Sequence, residues 1–213
     1  MNWLLIGANV WGFFFELSLS PRSLDSFLYV YSFIPARMWS GQYSLSQSLF
    51  TVVVAMFLHA GWLHIGGNML FLYIFGDNVE DRLGHLRYLV FYMLCGISAS
   101  LCHAFFNATS RLPSLGASGA ISGVLAAYLF LYPRARIVTL VPLFLFFTAE
   151  IPAFVFIVFW FVIQFFSGTA SLRMSTPTTG GTAYFAHIGG FVAGIILLLV
   201  LRPRRPPGQL AWR

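Results

Sequence analysis

Four polar residues within apolar segments of the chain are of the types that carry out acyl transfer. Ser118 lies in GASGAISG and His187 in AHIGGFVAG, while His64 and Asn68 lie in HAGWLHIGGNM. A serine hydroxyl becomes a useful nucleophile when an adjacent imidazole accepts its proton. The oxyanion formed by attack on a carbonyl needs hydrogen-bond donors that are already in place. We therefore predict a dyad of Ser118 and His187, with His64, Asn68 and the backbone N–H groups around Ser118 as oxyanion donors.

The spacing of small residues indicates how these side chains could meet. Glycines four residues apart form ridges on which helix backbones approach closely. Gly119 and Gly123 form such a ridge just after Ser118, and Gly190 and Gly194 form another just after His187. Packing of the two ridges would bring the Ser118 hydroxyl within hydrogen-bond reach of His187. We expect Gly116 to take part in the same helix packing.

A third member of a catalytic triad is not evident in the sequence. We do not expect any of the acidic residues to orient His187; they are Glu16, Asp25, Asp77, Glu80, Asp81 and Glu150. The expectation is therefore that packing, instead of a carboxylate, orients the imidazole. Ser122 is expected to bond the carbonyl one helical turn back, as serines in apolar helices usually do.

The composition excludes a water-soluble domain. Of the 213 residues, 59% are hydrophobic and only 8% are charged, and the mean hydropathy is +0.81. A soluble domain of this size needs far more charge to cover its surface. All 12 cationic residues are arginines, several at the ends of apolar runs, which suits anionic lipid head groups. The chain is thus expected to be one integral membrane domain over residues 1–213, without a nucleic-acid motif.

The elements that must position the four residues are predicted to be membrane-spanning helices. A span needs roughly 20 mainly apolar residues. Six segments approach this requirement, at about residues 2–16, 63–76, 87–106, 117–132, 149–166 and 184–201. The apolar stretches Phe50–Leu58 and Ile137–Phe147 are too short to span, and we place them at the interface or as re-entrant segments. The fold class is therefore all-α, a six-helix bundle.

The distribution of arginines predicts the orientation of the bundle. With six spans both termini lie on one side, together with eight of the arginines, four of which lie in a basic tail at 202–213. The positive-inside rule then places the termini in the cytoplasm. The second, fourth and sixth spans begin on the opposite side, so the polar residues near their starts share one depth. Residues 2–15 are expected to be a retained first span. Arginine without lysine, no recognised targeting segment and a minimal layout of six spans favour a bacterial plasma membrane as the expected location.

Four segments together resemble the rhomboid family of intramembrane serine proteases, and they occur in the order found in that family: HAGWLHIGGNM, FGDNVEDRLG, GASGAISG and AHIGGFVAG. Weaker similarity extends to WFVIQ and to the first span. The resemblance implies Ser118 as nucleophile, His187 as general base, and His64 and Asn68 at the oxyanion. It also implies transmembrane protein substrates and no cofactor. Ser122 stands where many relatives have an aromatic residue that packs on the catalytic imidazole.

Three alternative interpretations remain at this point. The first is a catalytically silent protein of the same fold that binds client helices. The second is a small transporter or channel, which predicts paired charges in the middle of the spans; the sequence has none there. The third is a metal site, which His59 and His64 could begin to form, but their spacing is five rather than four and they have no carboxylate or thiolate nearby.

Overall fold

The computed structural model describes residues 1–143, 145–171 and 183–201, and these are mostly helical. The predicted basic tail at 202–213 lies outside the described residues. In chain order, the elements are α1 (Asn2–Ser18), α2 (Pro21–Tyr31), α3 (Pro35–Trp39), α4 (Leu45–Ala55), α5 (Trp62–Phe71), a π-helical segment (Leu72–Gly76), α6 (Asp77–Leu83), α7 (His85–Phe106), α8 (Ser118–Leu131), β1 (Arg136–Leu143), β2 (Leu145–Pro152), α9 (Ala153–Ser171) and α10 (Tyr184–Leu201).

The six predicted spans each overlap a helix, but two of their boundaries differ. The helix that contains the predicted second span continues beyond residue 76, because α5, the π-helical segment and α6 follow one another without a break from Trp62 to Leu83. The helix of the predicted fifth span begins at Ala153 rather than at residue 149, since residues 149–152 belong to β2. The stretch from Phe50 falls largely in α4, whose start is fixed by a reciprocal cap between Ser44 and Gln47.

The expectation of an all-α fold is wrong for the segment between α8 and α9. There, β1 and β2 pair in an antiparallel hairpin whose register runs from Arg136 opposite Pro152 to Leu143 opposite Leu145. The strands are rich in Val, Ile, Leu, Phe and Thr, residues that suit extended backbone. A short apolar run can form either a strand or a re-entrant helix, and hydropathy alone does not distinguish the two.

Helix α8 lies at the centre of the molecule. Its residues from Gly119 to Tyr128 are all buried, which matches a helix that is apolar around its whole circumference. Helices α7 and α10 pack against it, and Cys95 of α7 lies beside Gly123. The first residue of this central helix is Ser118, so the packing of α8 fixes the position of the predicted nucleophile.

Three helices in the described ranges are long and apolar enough to cross a membrane: α7, α9 and α10. Helix α9 exposes large apolar side chains along its outer side, including Phe159 and Phe166, as a lipid-facing helix does. Helix α1 has 17 residues and α8 has 14, so both are shorter than a typical span. The helix lengths support a membrane protein, and the count of six spans stays a prediction.

Candidate active site

The structure brings Ser118 and His187 into direct contact. The distance from Ser118 Oγ to His187 Nε2 is 2.9 Å, which is hydrogen-bond length. Ser118 is the first residue of α8, and His187 lies in the first turn of α10. The two residues are 69 apart in the sequence, so only the packing of the two helix beginnings can join them.

Glycines make this close helix packing possible. A Cβ atom at Gly190 would overlap the carbonyl oxygen of Gly119, and one at Gly194 would overlap the backbone of Gly123. The obstacle at both positions is backbone, which cannot rotate away as a flexible side chain can. The backbones of α8 and α10 therefore meet along the two ridges, and this contact sets the distance between Ser118 and His187.

A glutamine from α9 holds the other side of the imidazole. Gln164 Oε1 lies 2.7 Å from His187 Nδ1, and both side chains are buried. The Trp160 ring, one turn earlier on α9, lies 5.6 Å from the imidazole between ring centroids. The sequence led us to expect packing instead of a carboxylate to orient His187, and the structure adds a buried amide that contacts the ring directly. Trp160 also supplies an aromatic neighbour from a different helix than the one that carries Ser122.

Sequence reasoning missed the contact of Gln164 with His187, although a signal was present. Gln164 interrupts an apolar run from Ala153 to Phe166. A polar side chain within an apolar span is costly unless it has a partner, and it commonly marks a functional position.

Two potential donors lie beside the turn that precedes Ser118. The N–H of Ala60 donates to His64 Nδ1 at 3.3 Å, which leaves Nε2 of the neutral ring to carry the hydrogen. A Cβ atom on Gly116 would lie 2.6 Å from that Nε2 and 3.7 Å from Asn68 Nδ2. Asn68 Nδ2 is buried and has no hydrogen-bond partner among the described residues. Both groups are therefore able to donate toward a ligand near Gly116.

Gly116 serves a different purpose from the helix packing that we expected. It lies in the turn before α8 with a φ of +117°, a conformation that favours glycine. Its N–H donates to the carbonyl of Ala55 at 2.8 Å, which ties the turn to the end of α4. The absence of a side chain also leaves room for the His64 ring, so Gly116 shapes the site rather than a helix interface.

Two buried polar residues, Glu16 and His59, support the loop that leads to His64. Glu16 of α1 is buried and accepts the N–H of His59 at 3.1 and 3.2 Å, a contact that the sequence did not predict. The rings of His59 and His64 lie 5.1 Å apart between centroids. Burial lowers the pKa of His59, in the loop before α5, to about 4, so its imidazole is neutral at physiological pH. Glu16 thereby holds the backbone of the loop that leads into His64.

The expectation for Ser122 is confirmed. Its hydroxyl donates to the carbonyl oxygen of Ser118 at 2.7 Å, and the side chain is fully buried. This hydroxyl is therefore satisfied within α8, whereas that of Ser118 is directed to His187.

A small cavity adjoins Ser118, with a volume of about 20 Å³. Its walls include Met56, Gly96, Ala99, Gly116 and Ala186. This is room for about one water molecule. A nucleophile beside such a cavity has space for the water that hydrolysis of an acyl intermediate requires.

Comparison with known proteins yields one family. A family model described as Rhomboid domain matches residues 46–204, a region that includes all four predicted site residues. The chain is 31% identical over 153 residues to Rhomboid protein 1, mitochondrial, of Saccharomyces cerevisiae, covering 70% of this chain and 41% of that protein. It is 38% identical over 170 residues to Presenilin-associated rhomboid-like protein A, mitochondrial, of Danio rerio, covering 73% and 39%.

A plant relative gives the same result. RHOMBOID-like protein 1 of Arabidopsis thaliana is 30% identical over 158 residues, covering 73% of this chain and 35% of the relative. The chain spans less than half the length of these three relatives. The family model covers most of the chain, and the quoted segments lie within the match. On this evidence, the chain belongs to the rhomboid family.

Proposed function

We propose that the protein is an intramembrane serine endopeptidase that cleaves transmembrane or juxtamembrane segments of other membrane proteins. The observation that carries this proposal is the 2.9 Å contact between Ser118 Oγ and His187 Nε2, with the side chains of His64 and Asn68 beside Gly116 in the preceding turn. Membership of the rhomboid family supports it. The proposal includes a bundle of six spans that opens to the extracytoplasmic side.

The chemistry begins at the hydroxyl of Ser118. Its oxygen attacks the carbonyl carbon of the substrate peptide while His187 Nε2 accepts the proton. His64 and Asn68 donate hydrogen bonds to the oxyanion, as do the N–H groups at the start of α8, which have no partner within the helix. His187 then gives the proton to the leaving amine, and an ester at Ser118 remains. Water attacks this ester with His187 as the base, which releases the acid and restores the serine.

The test combines covalent labelling with cleavage. Purified protein is treated with a fluorophosphonate probe, the modified residue is mapped by mass spectrometry, and cleavage of a transmembrane substrate is followed in parallel. We expect labelling at Ser118 and cleavage by the wild type, with both lost in Ser118→Ala and in His187→Ala. Ser122→Ala is the matched control, because that hydroxyl is bonded to the Ser118 carbonyl instead of to the imidazole.

Two results would contradict the proposal. Cleavage by Ser118→Ala at the wild-type rate would exclude this serine as the nucleophile. A folded wild type that is neither labelled nor active, yet binds transmembrane helices, would favour the catalytically silent alternative.

The membrane that holds the protein stays a prediction. The names of two relatives include the word mitochondrial, which describes those proteins and not this chain. The comparisons do not support the expected bacterial plasma membrane. Cytoplasmic termini likewise rest on the distribution of arginines.

A further inference from the structure

We propose that Gln164 is a positioning residue that holds the His187 imidazole in the tautomer and orientation needed at Ser118. The inference rests on the proposed proteolytic function and adds a residue to it. The contact that carries it joins Gln164 Oε1 and His187 Nδ1 at 2.7 Å, across 23 residues of sequence and two helices.

The first step of the argument concerns the proton on the ring. A neutral imidazole has one N–H and one acceptor nitrogen. When the amide oxygen of Gln164 accepts from Nδ1–H, the lone pair of the ring lies on Nε2, which faces the Ser118 hydroxyl. This is the form that can accept the proton of the nucleophile. The opposite tautomer would present an N–H to the hydroxyl and could not act as its base.

The second step concerns the charged form of the ring. After Nε2 has taken the proton, Nδ1–H is still donated to the amide oxygen of Gln164. Among the described residues, the hydrogen bonds of the His187 ring go only to Ser118 and Gln164. Within the described ranges, the titratable side chains with an electrostatic effect on the ring are two histidines, His64 on α5 and His103 on α7. The Gln164 oxygen is thus the acceptor in contact with the ring when its charge develops.

The third step concerns geometry. His187 and Gln164 are each 8% exposed, so water competes little for their hydrogen bond. Trp160 and Gln164 are four residues apart on α9 and therefore lie on one face of that helix. The indole ring lies beside the imidazole while the amide holds one of its nitrogens, and together they restrict rotation of the ring.

The kinetic test compares two substitutions at one position. Gln164→Leu removes the acceptor while keeping an apolar side chain in the helix, and we expect kcat to fall about 10- to 10³-fold with KM within about twofold. Gln164→Glu retains the acceptor and adds charge that stabilises the imidazolium. It should recover activity relative to Gln164→Leu and move the acidic limb of the kcat profile to higher pH. Gln42→Leu, at an exposed position, is the control.

The direct test does not depend on activity. In protein labelled with ¹⁵N-histidine, the wild type should show the Nδ1–H form of His187, identified by comparison with His187→Ala. Gln164→Leu should lose that preference. Gln164→Met serves as a second variant if the leucine protein does not fold.

The outcomes separate the two proposals. An active wild type, together with an unchanged kcat and pH profile in Gln164→Leu, would overturn the role of Gln164 and leave the proposed function standing. Absence of the Nδ1–H form in the wild type would overturn the inference as well. If the wild type neither cleaves nor is labelled, the proposed function fails, but an Nδ1–H form that depends on Gln164 would still support the inference.

Discussion

At the scale of single residues, the site is defined by which polar groups are satisfied and which are not. The hydroxyl of Ser122 donates to the carbonyl of Ser118, and the backbone N–H of His59 donates to the carboxyl group of Glu16. Asn68 Nδ2 is buried and has none among the described residues. A buried donor without an acceptor costs about 1–3 kcal/mol in the folded state. Such a group is retained most readily where a ligand supplies the missing acceptor.

This reasoning predicts the effect of removing the Asn68 amide. In Asn68→Ala we expect kcat to fall by roughly 10- to 10³-fold with little change in KM, because the amide would bind the oxyanion rather than the ground-state carbonyl. The measurement is steady-state cleavage of a transmembrane substrate in detergent.

Asn78→Ala provides the matched comparison for Asn68→Ala. Asn78 lies on α6, and its amide donates to the carbonyl of Ile74 in the preceding π-helical segment, at 3.2 Å. Turnover by this variant should match the wild type. An unchanged kcat in Asn68→Ala would remove Asn68 from the oxyanion site.

At the scale of elements, the close packing of α8 against α10 decides whether the dyad forms. The glycines of both helices face one another, and an added methyl group at Gly190 or Gly194 would meet backbone atoms. Because a helix backbone is stiff, the two helices would have to separate. A separation of even 1 Å would take Ser118 Oγ and His187 Nε2 beyond good hydrogen-bond distance.

Gly190→Ala is therefore expected to lower both stability and activity. Overpacking of this kind typically costs about 1–3 kcal/mol of unfolding free energy. We expect a lower thermal midpoint, measured by tryptophan fluorescence, and strongly reduced fluorophosphonate labelling of Ser118.

The control for Gly190→Ala is Gly7→Ala in α1, where a Cβ atom would meet nothing within 4 Å. That change should leave stability equal to or above the wild type, since alanine favours helix more than glycine does. Wild-type stability and labelling in Gly190→Ala would show that the α8–α10 contact is looser than the structure indicates.

At the scale of the whole molecule, Glu80 joins distant parts of the chain at the end opposite the dyad. It is buried, accepts the backbone N–H of Asn2 at 2.7 Å and the amino group of Met1 at 2.6 Å, and contacts the ring of His85. Burial by itself would raise the pKa of Glu80, but these hydrogen bonds outweigh it and hold the pKa below its usual value. Glu80 thus links α1, α6 and α7.

Glu80→Ala is expected to destabilise the protein by about 1–3 kcal/mol, because the backbone N–H of Asn2 would stay buried without an acceptor. The pH dependence follows from the lowered pKa. The stabilisation by Glu80 is complete above the ordinary glutamate pKa of 4.5 and is lost as the pH falls below that value. Thermal midpoints measured between pH 7 and pH 3.5 should therefore converge for wild type and variant toward acid.

Glu150→Ala is the matched control for Glu80→Ala. Glu150 pairs with Arg136 at 3.5 Å on the exposed hairpin, and such surface pairs contribute at most about 1 kcal/mol. The thermal midpoint of Glu150→Ala should stay close to that of the wild type across the pH range. If Glu80→Ala behaved in the same way, the buried carboxylate would not hold the three helices together.

The sequence alone determined the class of protein, the approximate helix positions and the four residues worth testing. Composition and runs of apolar residues are local properties, and the spacing of the glycines indicated which helices could approach closely. The hairpin between α8 and α9 was not predictable in this way, because a short apolar run lacks the length or period that separates strand from helix.

Only the tertiary structure decided which side chains meet. Gln164 reaches His187 from another helix, Glu16 reaches the loop before His64, and Gly116 makes room for the His64 ring. None of these contacts has a local signature, since each depends on how helices far apart in the chain pack and rotate against one another. A lone glutamine in an apolar helix signals that it needs a partner, but the partner is chosen by the fold.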